Sequence, residues 1–235
     1  HTVTRSALIG GGVLPVPGEI SLAHGGVLFL DELAEFPKPV LEVLRQPLEE
    51  RQIRITRSQG NFVFPANFIL ICAMNPCPCG NYPDYNRCTC TQAQIQQYLG
   101  KISQPFLDRI DICAEAPRIQ YDALAGKKKQ ESSAVIRDRV CAARAIQQKR
   151  YKDRGILCNS MLGVSELREV CRLGKKEEML MRKAFVSLGL TARTYHKILK
   201  VARTIADLDA SEKIGENHLK EAIGYRMLDK KYWGR

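Results

Sequence analysis

Two adjacent carboxylates, Asp31 and Glu32, close the apolar run Val27-Leu28-Phe29-Leu30. A short apolar run after the Gly25-Gly26 turn signal reads as a strand buried on both faces, as in a parallel sheet. A second such strand is predicted from Asn67 to Met74, ending at Asn75. Ligands of open parallel sheets bind beyond the carboxyl ends of the strands, so Asp31, Glu32 and Asn75 are expected at one edge. Of two neighbouring carboxylates, one can hold a hydrated Mg²⁺ and the other can orient and activate a water for in-line attack on a phosphate. An asparagine on the adjacent strand can hold that water or the γ-phosphate. The competing reading is a pair of solvated acids at a strand end.

Two arginines suit the same chemistry. Arg109, in Phe106-Leu107-Asp108-Arg109-Ile110-Asp111, precedes a short strand predicted over Ile110–Ala114 and stopped by Pro117. It should lie at the edge opposite the acids, out of reach of its own site but able to reach a neighbouring subunit's, as an arginine finger supplied in trans does. The alternative is an ion pair with Asp108 or Asp111. Arg193 lies near the start of a helix that Thr191 can cap. A cation there opposes the helix dipole unless an anion such as phosphate sits beside it; otherwise it is an exposed arginine that the helix tolerates.

Nine cysteines without a secretion signal argue for a reducing compartment and against a disulfide framework. Cys77, Cys79, Cys88 and Cys90 fall within fourteen residues and could give four thiolates to one structural Zn²⁺. The loop between the pairs has no core of its own, and a metal would order it. The alternative is a set of free cytosolic thiols. His24, His196 and His218 read as surface or core residues rather than ligands. Residues 51–64 alternate around a turn near Gly60-Asn61, which predicts a β-hairpin carrying Arg51, Arg54 and Arg57.

These residues need positioning elements, and the chain of 235 residues is long enough for one large domain or two small ones. Thr2 to Ile20, rich in Gly and Pro, reads as a loop or insertion. Val40, Leu41, Leu44 and Leu48 have helical spacing, with Pro47 expected to end or kink the helix. Gln92–Leu99 reads as a helix. Beyond Lys127 only helices are predicted, over Gln130–Tyr151, Ser165–Leu173, Lys176–Leu188, Thr191–Leu208 and Asn217–Arg226. The fold class expected is α/β followed by an all-helical part, with the boundary near 118–127. Charge divides in the same place. Residues 1–120 carry 10 basic and 11 acidic side chains, a net of −1, whereas residues 121–235 carry 26 and 14, a net of +12. A basic module suits a polyanion, either nucleic acid or nucleotide phosphates, or is simply a solvated helical surface. The longest apolar run, Phe68 to Met74, is far too short to span a bilayer.

Together the motifs resemble the AAA+ ATPases. Gly26-Val27-Leu28-Phe29-Leu30-Asp31-Glu32 looks like a Walker B strand, Asn75 like sensor 1, Arg109 like the arginine finger, Arg193 like sensor 2, and the helical second half like the lid. Pro17-Gly18-Glu19-Ile20-Ser21-Leu22-Ala23-His24, Asn75-Pro76-Cys77-Pro78-Cys79-Gly80 and Lys200-Val201-Ala202-Arg203-Thr204-Ile205-Ala206-Asp207-Leu208 are similar to magnesium-chelatase-like AAA+ proteins of the ComM/YifB type. The resemblance covers nearly the whole chain. It implies a truncated P-loop-type parallel sheet with helices over 1–120, including hairpin 51–64 and Cys-rich loop 77–90, and a helical lid over 121–235.

The resemblance further implies ATP and Mg²⁺ as cofactors, with Asp31 holding Mg²⁺ through water and Arg193 on an ATP phosphate. Members are bacterial, cytoplasmic and hexameric when active, with a Lon-protease-like domain ahead of the ATPase; competence-associated members are DNA helicases that drive branch migration. In related motors a hairpin at this place points into the ring pore, which would put Arg51, Arg54 and Arg57 on DNA; otherwise they blunt the edges of an ordinary exposed hairpin. No Gly-x-x-x-x-Gly-Lys-Ser/Thr occurs in the 235 residues. The family's P-loop would lie before His1, so this chain is expected to be a piece of a longer protein that alone binds ATP weakly or not at all and is a monomer or weak oligomer. Two other functions compete: a chelatase-type remodeller with a protein client, and a zinc-stabilised DNA-binding module without turnover.

Overall fold

The computed structural model describes residues 2–58, 60–116 and 131–234. The predicted domain boundary, Pro117 and the start of the helix at Gln130 lie outside these. The chain forms two compact units, one of residues 1–110 with 232–235 and the other of residues 111–231.

The first unit is α/β. Strands β1 (Gly10–Gly11) and β2 (Val16–Pro17) make a minimal antiparallel pair. The central feature is the parallel pair of β3 (Val27–Leu30) and β6 (Ile69–Cys72), in register from Val27 opposite Ile69 to Leu30 opposite Cys72. Between them in sequence come the hairpin strands β4 (Gln52–Arg57) and β5 (Gly60–Pro65), paired from Gln52 opposite Pro65 to Arg57 opposite Gly60. Period-two alternation sends Ile53 and Ile55 into the core and leaves Arg54 and Thr56 exposed. The core joins Leu30 of β3 to Leu33, Phe36, Leu41, Leu44 and Phe106, all buried. The opposite face of the parallel pair, made by Val27, Phe29, Ile69 and Ile71, is 46–63% exposed.

Four local expectations change. The β3–β6 pair, expected to be buried on both faces, is covered on one only, with Leu28 and Leu70 against the core and Val27, Phe29, Ile69 and Ile71 exposed. Residues 2–20 are not only loop: Thr4 accepts a hydrogen bond from Ala7 N and starts helix α1 (Arg5–Ile9), which buries Leu8. Gly10, at φ +93°, then turns the chain where a Cβ would stand 2.1 Å from the Val16 carbonyl oxygen, so only glycine fits. After α2 (Glu19–Leu22), the helix expected through Val40–Leu48 is two helices, α3 (Lys38–Glu42) and α4 (Arg45–Glu50). Pro47 lies in the first turn of α4, where its missing N–H costs nothing, so the break falls before it. The strand expected at Ile110–Ala114 is absent. Among the described residues that segment has no strand partner; Cys113 N bonds instead to the Tyr225 carbonyl and Asp111 pairs with Lys197 at 2.6 Å. Helices α5 (Gln92–Leu99) and α6 (Gln104–Leu107) complete this unit, with the Trp233 indole donating to the Leu99 carbonyl at 2.9 Å.

The second unit is helical: α7 (Ser133–Arg150), α8 (Val164–Val170), α9 (Lys175–Leu188), α10 (Ala192–Leu208) and α11 (Glu216–Trp233). Helix α10 is its axis, burying Ile198, Leu199, Ala202 and Ala206 at helical spacing. Buried beside them, Asp207 accepts hydrogen bonds from both Arg150 terminal nitrogens, from Arg203 Nε at 3.2 Å and from Asn159 Nδ2 at 2.8 Å. Every buried charge there is paired, as desolvation requires.

Candidate functional site

The parallel register carries the putting-together of the acids and the asparagine. Beyond the strands the ladder continues, Ala73 N donating to the Leu30 carbonyl and Leu33 N to the Ala73 carbonyl at 2.9 Å. Asp31, Glu32 and Asn75 therefore leave the same, carboxyl end of the pair, and all three are exposed. Asp31 Oδ1 accepts the Glu32 backbone N–H at 2.9 Å. Glu32 itself has left-handed backbone, φ 52° and ψ 48°, and precedes a 3₁₀ turn over Leu33–Glu35. This conformation turns the chain sharply at the strand end. A strand end with two exposed carboxylates can supply oxygen ligands to a hydrated cation and to a water. Nearby, burial and then the charges of Glu35, Cys77 and Glu32 push the Tyr98 phenol up.

Arg109 is 9% exposed and bound within its own unit. Its Nη2 meets Glu49 at 2.9 Å, its Nε donates to the Arg45 carbonyl at 3.0 Å, and Nη1 donates to the Pro105 carbonyl. Neither Asp108 nor Asp111 is among these partners. Glu49 had no local signal: it lies sixty positions upstream, and only the packing of α4 near Arg109 brings the two together. Arg193 stands at the second position of α10, exposed, where Thr191 Oγ1 caps Thr194 N at 3.2 Å; it belongs to the second unit.

The hairpin arginines do not form one cluster. Arg51 caps α4 in left-handed conformation, φ 56°. Arg54 approaches Glu50 at 3.7 Å with both side chains exposed, and Arg57 reaches the Gly12 carbonyl at 3.4 Å.

The four loop cysteines do converge: their sulfurs all lie within 4.8 Å of one another. The Asn81 backbone N–H beside Cys79 pulls its thiol down to about 5, against the effect of burial. Cys88, despite the Cys90 N–H, is pushed up to about 12 by burial and by Cys79 and Cys77. Crowded sulfurs cannot all ionise without a cation between them. His24 accepts Asn67 N, and His218 bonds Gly215 N and Asp209; both are structural.

A short parallel sheet with two carboxylates and an asparagine at its carboxyl end, followed by a helical unit, is the architecture of a truncated AAA+ domain and its lid. The family model described as magnesium chelatase, subunit ChlI, matches residues 1–124, and that of the ChlI C-terminal region matches residues 130–226. The chain belongs to this magnesium-chelatase-like family. It is 45% identical over 229 residues to Competence protein ComM of Haemophilus influenzae, covering 97% of this chain and 44% of that protein. It is 44% identical over 232 residues to the uncharacterized protein YifB of Escherichia coli, covering 98% and 45%. An uncharacterized protein of Mycobacterium bovis is 37% identical over 228 residues, covering 97% and 45%. The chain thus spans less than half the length of the curated relatives it matches. Among the described residues no helix is long and apolar enough to cross a membrane.

Proposed function

We propose that this chain is the Walker B-to-lid portion of an ATP-hydrolysing ring motor that moves DNA. The observation that carries the reading is the delivery of Asp31, Glu32 and Asn75 to one end of a parallel strand pair. Asp31 would hold the Mg²⁺ of Mg-ATP through water, and Mg²⁺ there supplies charge neutralisation at the phosphates. Glu32 orients the attacking water and takes its proton. Asn75 holds that water or the γ-phosphate. Arg109 serves the neighbouring subunit, exchanging Glu49 for a phosphate oxygen, and Arg193 meets phosphate at the start of α10, where helix N–H groups favour an anion. Three exposed carboxylate and amide side chains at a strand end fit such a ligand; the backbone cradle for the phosphates, which needs the Gly-Lys-Ser/Thr loop, does not occur in these residues.

DNA as the client is supported by the net charge of +12 over residues 121–235, by the exposed Arg54 and Arg57 on the hairpin, and by similarity to a competence protein. Branch migration in recombination or natural transformation, a hexameric ring and a cytoplasmic place are the corresponding finer proposals. The test uses the full-length protein. ATP turnover should rise with branched DNA and lose that rise as salt increases, and Glu32→Gln should retain ATP without turning it over. Turnover indifferent to DNA would favour a chelatase-type remodeller of a protein client, and full activity in Glu32→Gln would favour a DNA-binding module without turnover.

A further inference from the structure

The Cys-rich loop is unlike the rest of the first unit. From Pro76 to Thr91 it contains neither helix nor strand among its residues, and its chain is held by turns such as Gly80 N to the Cys77 carbonyl and Cys88 N to the Asp84 carbonyl. Few apolar side chains lie within it, so burial alone offers little to offset the entropy of ordering it. Yet Cys77 is fully buried, and Cys79, Cys88 and Cys90 pack with it beside Ile95, Tyr98 and Leu99 of α5.

The sulfur geometry is informative. Cys77 and Cys79 are 3.4 Å apart, Cys79 and Cys88 3.6 Å, and Cys77 and Cys88 3.8 Å. A disulfide needs about 2.05 Å, so these are not bonded pairs. A tetrahedron with metal–sulfur bonds of about 2.3 Å has edges of about 3.8 Å. The observed separations sit near that edge length, with all four sulfurs within 4.8 Å of one another. A polynuclear iron–sulfur cluster spreads its thiolates over several metal atoms and holds them farther apart, so the cage suits a single ion. Four thiolates select a soft or borderline metal and leave no open coordination position. The backbone contributes as such centres require, with Tyr82 N donating to Cys77 Sγ at 3.4 Å.

The loop is also joined to the candidate nucleotide site. Asn75 is two residues before Cys77, and Asn75 Oδ1 lies 3.7 Å from where a Cβ at Gly80 would stand. Gly80, at φ +74°, is the turn that brings the Cys77–Cys79 arm back against Asn75. On the other side, Cys90 leads directly into the capping box of Thr91 and Gln94 that starts α5.

We propose that Cys77, Cys79, Cys88 and Cys90 bind one tetrahedral Zn²⁺ and that this ion, by closing residues 77–90 into a rigid loop, fixes the backbone that presents Asn75. The ion is structural, and Asn75 is the residue it positions. The second half of this statement rests on the role given to Asn75 above; the first half does not.

The experiment uses full-length protein purified without chelator. Elemental analysis should find one zinc per chain, and Co²⁺ exchanged into the site should give the intense visible and near-ultraviolet bands of a tetrahedral thiolate complex. Cys88→Ser should lose both, whereas Cys141→Ser, an exposed cysteine elsewhere, should keep both. Should Cys88→Ser fail to fold, wild-type protein stripped by a chelator reads the same site: trypsin should cleave after the exposed Arg87 in the stripped protein and not in the zinc-restored one. Folded protein without zinc, with iron in its place, or with Arg87 cleaved equally in both states overturns the site. For the positioning, stripping should lower kcat for ATP roughly tenfold to a hundredfold with KM little changed, as a misplaced catalytic group does, and Asn75→Ala should do the same. A stripped protein with normal kcat, beside an impaired Asn75→Ala, overturns the positioning and leaves the zinc site standing. A normal kcat in Asn75→Ala overturns the role of Asn75 itself.

Discussion

One guanidinium, that of Arg109, is asked to do two things, and the two can be separated. Within a single chain it meets Glu49 at 2.9 Å and two backbone carbonyls, with its side chain 9% and that of Glu49 38% exposed. A pair of this intermediate burial falls between the roughly 0–1 kcal/mol of a surface ion pair and the roughly 3–5 kcal/mol lost on breaking a buried one. About 1–2 kcal/mol is a fair figure. Glu49→Gln keeps an acceptor but removes the charge, and should cost about 1 kcal/mol, or roughly 4 °C in Tm. Arg109→Lys keeps the charge but cannot span three acceptors, and should cost about as much or slightly more. Thermal melting therefore treats the two variants alike. ATP turnover by the assembled full-length protein should not. If Arg109 leaves Glu49 to meet a phosphate on the neighbouring subunit, Glu49→Gln makes that exchange easier, and 1 kcal/mol corresponds to a rise of up to about fivefold in kcat. Arg109→Lys should lower kcat at least about a hundredfold, since an arginine finger contributes about 10³–10⁵. Opposite signs in turnover with equal signs in melting would mark the finger. Arg109→Lys within about threefold of wild type, or both variants losing turnover in step with Tm, would refute the reasoning and leave Arg109 as a purely structural clasp.

Three further outcomes are expected. Asp207→Asn leaves Arg150 and Arg203 without their shared anion, so calorimetry should show a loss of about 2–4 kcal/mol in the helical unit; a shift under about 2 °C would mean the network is not load-sharing. Although burial opposes it, the Ser103 hydroxyl and Arg45 hold the Glu42 carboxyl below its ordinary value of 4.5. Its folded pKa being depressed, the stability it contributes is present above about pH 4.5 and is lost as pH falls through the folded value, so Glu42→Gln should flatten the acid limb of an unfolding-versus-pH curve. Finally, Arg54→Ala with Arg57→Ala should lower the slope of log affinity for DNA against log salt by about 2 if each arginine meets a phosphate; an unchanged slope would take the hairpin off the DNA.

How far the sequence was legible follows from the range of the forces involved. Strands β3 and β6 could be read because an apolar run of strand length between turn signals is a local pattern, and their carboxyl ends followed from parallel pairing. The pattern Val40–Leu48 puts the break at Pro47, whereas the chain breaks before it, because proline is harmful in a helix interior and harmless in a first turn and the pattern does not say which turn is first. The apolar alternation at Ile110–Ala114 looks like a strand, but a strand exists only if a partner offers its hydrogen bonds, and here Tyr225 and Lys197 take that part. Glu49 was invisible for the same reason: an ion pair across sixty positions is made by packing, not by spacing. Thiols spaced Cys-x-Cys announce possible ligands, but their convergence to within 4.8 Å depends on the turn at Gly80.

The left-handed backbone at Glu32 bears on how such a protein can change over generations. A residue with a Cβ, asparagine and aspartate excepted, holds that conformation at a cost of roughly 1–2 kcal/mol, so position 32, like Arg51 and Ala210, carries a side chain its own backbone disfavours. Stability alone favours glycine or asparagine there. On the role proposed for Glu32, the need for a carboxylate at that point opposes the exchange. If Glu32 activates water as proposed, a duplicated copy released from that task would gain stability from glycine or asparagine at this position, and that exchange should go with loss of turnover.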